Sequence, residues 1–198
     1  TLRGVILEGP GSGVAGEGGA INLEDVTITV ATCAVYATGT SRIRGKKVAI
    51  SGAKFGLRAA GSSQIGLSEV TIDSCSSHGI LSEGTGTVSI SALQADSGDT
   101  DRPLVSVSSG NVHLTGSDLR GGIGNIIATS GGEVYLRGGT VLGNGGHYSG
   151  LFVGDTGRLQ ARDVKVVNAF AGVTGGLLKI ADVTMDNGPT GATLWARG

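Results

Sequence analysis

One apolar phrase returns along this chain about every 22 residues, and that recurrence restricts the fold more than any other feature. The phrase is two alternating apolar positions, a short gap, then two more. It reads Ile21-x-Leu23 with Val26-x-Ile28, Ile43-x-Gly45 with Val48-x-Ile50, and Ile65-x-Leu67 with Val70-x-Ile72. Further copies begin at Val88, Val112, Val134, Leu159 and Leu178, so the starts lie 22, 22, 23, 24, 22, 25 and 19 residues apart. A third short segment precedes the phrase, as in Ala34-Val35-x-Ala37, Gly56-Leu57-x-Ala59, Gly79-Ile80-x-Ser82 and Gly150-Leu151-x-Val153. Alternation puts one face of each segment inward and the other outward. A unit of this length with three short strands and no helical stretch cannot enclose a core alone. Stacked units can, each strand pairing with its equivalent in the next coil about 4.8 Å away.

The expected fold is therefore all-β: a single-stranded, right-handed parallel β-helix of about eight coils, three strands to a coil, in one domain spanning residues 1–198. An antiparallel sandwich would show strands every 8–12 residues without a common register, and the repeat argues against it. Composition agrees. Glycine supplies 38 residues and proline 3, yet 39% of the chain is hydrophobic. That excludes collagen and a disordered Gly/Pro tract, and helices would not tolerate so much glycine. Glycine is expected at the turns between coils, as at Gly39-Thr40, Gly61-Ser62 and Gly84-Thr85. The start at Thr1 has neither an initiator methionine nor a signal peptide, and Ala196-Arg197-Gly198 ends within a β-like phrase. The chain thus reads as part of a longer one.

With 15 basic and 16 acidic residues the chain has no broad basic field, so nucleic acid is not an expected partner. No apolar run is long enough for a membrane-spanning helix. Cys33 and Cys75 lie two coils apart in this register, too far for a disulfide, and are expected as free, largely buried thiols.

Two outward columns follow from the repeat. One reads Asn22, Arg44, Gly66, Ser89, His113, Tyr135, Gln160, Lys179; the other reads Tyr36, Arg58, Leu81, Ser106, Ala128, Phe152. Polar groups beside aromatic rings suit a saccharide, whose hydroxyls need donors and acceptors and whose ring faces need flat apolar partners. Arg44, His113, Tyr135, Tyr36, Arg58 and Phe152 are accordingly the candidate ligand-binding residues, although a solenoid's outer face is polar in any case. Acidic residues often precede the second strand (Asp25, Glu69, Asp163, Asp182), with Lys47 and Thr140 breaking the series; a structural corner role is expected of them. Ser74, Ser97, Asn144, Asn168 and Asn187 follow that strand, and an inward side-chain ladder would explain them.

Two insertions carry the remaining chemistry. Asp96, Asp99 and Asp101 in Asp96-Ser97-Gly98-Asp99-Thr100-Asp101-Arg102-Pro103 are the candidate catalytic carboxylates. The same set is the place where calcium would bind, although a full calcium-loop pattern is lacking. Glu83 and Asp118 are the other carboxylates considered. The second insertion is Gly143-Asn144-Gly145-Gly146-His147-Tyr148-Ser149. The histidines His78, His113 and His147 fall in different coils, and no spacing of His and Cys makes a zinc site.

Phrases such as Ile65-Gly66-Leu67-Ser68-Glu69-Val70-Thr71-Ile72-Asp73-Ser74 and Leu178-Lys179-Ile180-Ala181-Asp182-Val183-Thr184-Met185-Asp186-Asn187 resemble the pectate-lyase-like right-handed β-helix superfamily. The resemblance covers nearly the whole chain as a fold-level pattern. It implies either a polysaccharide lyase, hydrolase or epimerase, a phage tailspike, or a bacterial surface passenger of the pertactin-like adhesin type. Pectate lyases carry calcium-binding aspartates and a catalytic arginine on one strand face. The matching column here holds Asn22, Arg44, Ser89 and His113 and no aspartate ladder, so no catalytic residue is carried over. The low-charge, Gly/Ser/Thr-rich style looks most like the surface passengers. The leading expectation is a non-enzymatic extracellular or cell-surface rod that spaces, displays or adheres, with a polysaccharide or host-surface glycan as its ligand class. The alternative is a polysaccharide-processing enzyme or tailspike fragment of a virion tail. Self-association end to end or side by side is a further expectation, because solenoid ends expose unpaired strands.

Overall fold

A computed structural model describes residues 1–96, 101–121, 126–144 and 150–186, and residues 194–197 by their backbone pairing. The chain opens with β1 (Leu2–Gly9) and β2 (Val14–Gly16). Next come β3 (Ala20–Val30) and β4 (Cys33–Ala37), then β5 (Arg42–Ser51) and β6 (Phe55–Gly61). β7 (Gln64–Asp73) leads to β8 (His78–Gly84), and β9 (Thr87–Asp96) to β10 (Val105–Val107). β11 (Asn111–Arg120) precedes β12 (Ile127–Thr129), and β13 (Glu133–Leu142) precedes β14 (Gly150–Gly154). Beyond these the long strand divides. β15 (Arg158–Arg162) and β16 (Lys165–Val167) come before β17 (Phe170–Thr174), and β18 (Leu177–Ala181) and β19 (Thr184–Asp186) before β20 (Leu194–Arg197).

The strands form two sheets. One runs β1-β3-β5-β7-β9-β11-β13-β15-β18, with β16 and β19 continuing its second half; the other runs β2-β4-β6-β8-β10-β12-β14-β17-β20. Every named strand pair is parallel, and neighbours in each sheet come from successive coils. This is a parallel β-solenoid, and β1 with β2 adds one rung ahead of the eight copies read from the repeat.

The coil is built by one conformational device. Inward residues such as Leu23 and Val26 stand three positions apart, whereas alternation permits two or four. A left-handed residue absorbs the odd step and bends the strand. Gly4, Asp25, Lys47, Glu69, Ala92, Gly116, Gly138, Asp163 and Asp182 occupy this place, with φ between 52° and 67°. The first two segments of each phrase are therefore the arms of one bent strand in most coils, and separate strands only at β15/β16 and β18/β19. The corner reading of the acidic residues fits this column with one correction: Gly138, not Thr140, holds the corner of β13. Thr140 lies two residues on, in register with Asp118 and Lys165.

The core follows from the stacking of like residues. Ile43, Ile65, Val88, Val112, Val134 and Leu159 form one fully buried ladder, and Val26, Val48, Val70 and Leu93 begin another. Each such side chain is worth roughly 1.5–3 kcal/mol of burial. The second ladder is interrupted by Ser117 and Gly139 before Val164 resumes it. The proposed inward ladder of small polar residues is not formed. Ser74, Asn144 and Asn168 are exposed, and Ser74 (φ 54°) and Asn168 (φ 48°) serve instead as left-handed turn residues; Ser97 and Asn187 lie outside the described residues. Cys33 and Cys75 are free and buried, as expected.

Candidate functional site

The outward column read from the repeat is present in full. Asn22, Arg44, Gly66, Ser89, His113, Tyr135, Gln160 and Lys179 pair in sequence along the first sheet. Its side chains are not evenly spread. Between Arg44 and His113 stand only Gly66 and Ser89, so the surface drops over β7 and β9. Two depressions meet there. One of about 310 Å³ is lined by Arg42, Arg44, Gln64, Gly66, Thr87 and Ser89, together with Ile43 and Ile65 beneath. The other, of about 390 Å³, includes Gly66, Ser68, Ser89, Ser91, His113 and Thr115. They share Gly66 and Ser89, and together form a cleft that runs along the strands and therefore across the solenoid.

The floor of this cleft is built from small outward residues: Gly66 and Ser68 of β7, Thr87, Ser89 and Ser91 of β9. Gly66 is not demanded by the fold. Its φ is not in the left-handed region, and a Cβ built there would meet nothing within 4 Å. Gly84 is the contrast: a Cβ there would lie 2.5 Å from the backbone nitrogen and oxygen of Gly61. One wall is β5, with Arg42, Arg44 and Lys46; the other is β11, with Asn111, His113 and Thr115. The walls are three ladder steps apart, about 14 Å centre to centre.

The His113 wall is braced by its neighbour Tyr135. Its imidazole stacks on the Tyr135 ring with centroids 4.6 Å apart and planes 4° from parallel. The Tyr135 hydroxyl donates to the Glu133 carboxylate, which holds the phenol pKa above its ordinary value, and Arg158 pairs with the same carboxylate at 3.4 Å. Tyr135 covers one face of the imidazole, so the other face is turned toward Ser89 and the cleft. The Arg44 wall is electrostatically open. Lys46 and Lys47 are paired with Glu24 (3.3 Å) and Asp25 (3.9 Å) in the preceding coil. Arg42 and Arg44 instead stand between Ala20 and Asn22 on one side and Gln64 and Gly66 on the other, and neither makes an ion pair among the described residues.

The second sheet treats its candidates differently. Tyr36 and Arg58 are adjacent, but the guanidinium is already committed. It pairs with Glu83 at 2.8 Å and sits over the Tyr36 and Phe55 rings at 5.4 and 5.5 Å. Phe55 meets the His78 ring edge-on at 6.0 Å. The His78 Nδ1–H donates to the Ser77 carbonyl, and burial pushes the imidazole pKa down. This cluster braces three coils. Phe152 is four rungs from Arg58 on the same sheet and is not part of it.

Of the carboxylates, Asp99 lies outside the described residues. Asp101 is exposed and near Arg102 (3.8 Å). Asp96 lies 3.9 Å from Arg120 and shares with Asp73, Gln94, Asp118 and Arg120 an open depression of about 640 Å³ over the second arm of the sheet. Among the described residues no three His, Cys, Asp or Glu side chains converge as metal ligands. Among the described residues no helix is long and apolar enough to cross a membrane.

Sequence reasoning missed Arg42, Gln64 and Thr87. The Arg42-x-Arg44 alternation was the available signal, because residues two apart share a strand face. Fold and surface together define the class: a parallel β-solenoid with a transverse polar cleft. No known protein family, no curated protein and no solved structure matches this chain.

Proposed function

We propose that this chain is a rigid extracellular or cell-surface module that binds a saccharide chain in the cleft over β7 and β9. The observation that carries this reading is the gap at Gly66 and Ser89, between a guanidinium and a stacked imidazole face. Hydroxyl and amide groups of Ser68, Thr87, Ser89, Ser91, Asn111 and Gln64 supply donors and acceptors for sugar hydroxyls. The free face of His113 supplies a flat surface. The regular coils and the short strand connections on this side make the module a stalk as well as a binder.

The test is a carbohydrate panel presented to the purified chain, with Gly66→Trp as the blocking variant. Binding that Gly66→Trp abolishes while the melting temperature is unchanged supports the cleft. Binding that survives Gly66→Trp moves the site elsewhere.

A second reading, a polysaccharide-processing enzyme, has one specific observation in its favour. Asp96 and Asp118 line one open depression from adjacent strands, two residues out of register. Strand geometry puts such diagonal positions about 8 Å apart, within the carboxylate separation used by inverting glycosidases. Release of reducing ends or unsaturated products, lost in Asp96→Asn and Asp118→Asn, would establish this reading in place of the first.

A further inference from the structure

We infer that the cleft selects saccharides carrying anionic groups along one edge, with Arg42 and Arg44 as the clamp for those anions; this rests on the saccharide reading above. The inference starts from the asymmetry of the two walls. The β11 wall presents Asn111, His113 and Thr115, with no formal acid or Lys/Arg base among them. The β5 wall presents Arg42, Arg44 and Lys46 on one face. Lys46 shares the Glu24 carboxylate with Arg3, and Lys47 beside it pairs with Asp25. The two guanidiniums face no acid at their paired positions, where the ladder neighbours are Ala20, Asn22, Gln64 and Gly66, and neither makes an ion pair among the described residues.

Arg42 and Arg44, two residues apart on one strand, have Cα atoms roughly 6.6 Å apart along the cleft. Each offers a planar fork that matches a carboxylate or a sulfate half-ester. A chain lying along β7 and β9 would present one edge to these forks and a ring face to His113. The anionic chemistry shared by uronates and sulfated sugars is what the wall reads.

The experiment is affinity electrophoresis of the 198-residue chain in gels containing dextran, dextran sulfate, neutral mannan, alginate or poly-glutamate. Dextran sulfate, alginate or both are expected to retard the chain at least about tenfold more strongly than their neutral counterparts. Whichever retards it identifies sulfate or carboxylate as the source of the anion. Arg42→Gln with Arg44→Gln should abolish that preference, while Lys179→Gln, on β18 three rungs beyond His113 and outside the cleft, should change retardation less than about twofold. Equal retardation by neutral and acidic glycans would overturn the charge selection and leave the saccharide reading standing. Poly-glutamate binding as tightly as the acidic glycans would overturn it too, since a bare polyanion would then suffice. No retardation by any glycan would remove both readings.

Discussion

Two residue types show how individual side chains answer to their place in the coil. The thiols of Cys33 and Cys75 are buried, and desolvation pushes their pKa from 9.0 up to about 11 and about 12. The folded state therefore holds these protons more tightly than the unfolded chain does. The stabilisation is complete below pH 9 and is lost as pH rises through 11 to 12. Urea titrations should show stability falling in that window, and the fall should be smaller in Cys33→Ala with Cys75→Ala. A thiol-reactive dye at pH 8 should label neither cysteine until the chain unfolds. The corner residue Ala92 makes the second case. It is exposed and held at φ 54°, where a side chain costs about 1–2 kcal/mol. Ala92→Gly relieves that cost but frees the unfolded backbone. A net gain of up to about 1 kcal/mol is expected by urea denaturation, and a loss would show that the corner is unstrained.

Glycine has opposite meanings in two elements of the same solenoid. At the β8 corner, Gly84 stacks directly on Gly61, and Gly84→Ala forces a Cβ into backbone. That variant should lose more than about 2 kcal/mol, read as a lowered urea midpoint. In β7, Gly66 faces open space, and Gly66→Ala should leave the midpoint within about 0.5 kcal/mol of wild type or raise it. A large loss in Gly66→Ala would make that glycine structural and weaken the case for the cleft. The sequence shows both as glycine in a repeat and cannot separate them, because the difference lies in what the adjoining coil puts beside the Cβ. The strand pattern itself was legible. Alternation and the 22-residue period placed every rung of the outward column in register. The bent strand was less so, since Asp, Lys, Glu, Ala and Gly all occupy its left-handed corner and share no single side-chain chemistry.

At the scale of the whole molecule, the solenoid distributes the candidate residues into separate places. Arg44, His113 and Tyr135 meet around one cleft, Tyr36 and Arg58 join a brace, and Phe152 stands apart. Rungs also end. β1 and β2 each pair on one side only, and Leu177 and Ile180 of β18 are 41% and 40% exposed. Unpaired ladder edges recruit further strands. The 198-residue chain is expected to associate with rising concentration in sedimentation velocity, and Val5→Pro in β1 should reduce this. A single monomer boundary at every concentration would show that the ends are not adhesive.

The period of the sequence determined the parallel coil, its inward ladders and the outward column of the first sheet, because a fixed repeat leaves one register in which like residues stack; in the second column Leu81, expected outward, is buried. The tertiary structure decided which outward residues act together. A column is one-dimensional, whereas a cleft needs two neighbouring columns and the empty volume above them. Arg42 enters beside Arg44 from the second column, and Gly66 becomes a floor only because Arg44 and His113 rise on either side. Likewise, the charge of Arg58 is spent on Glu83, 25 residues away in sequence, and that of Arg44 is not.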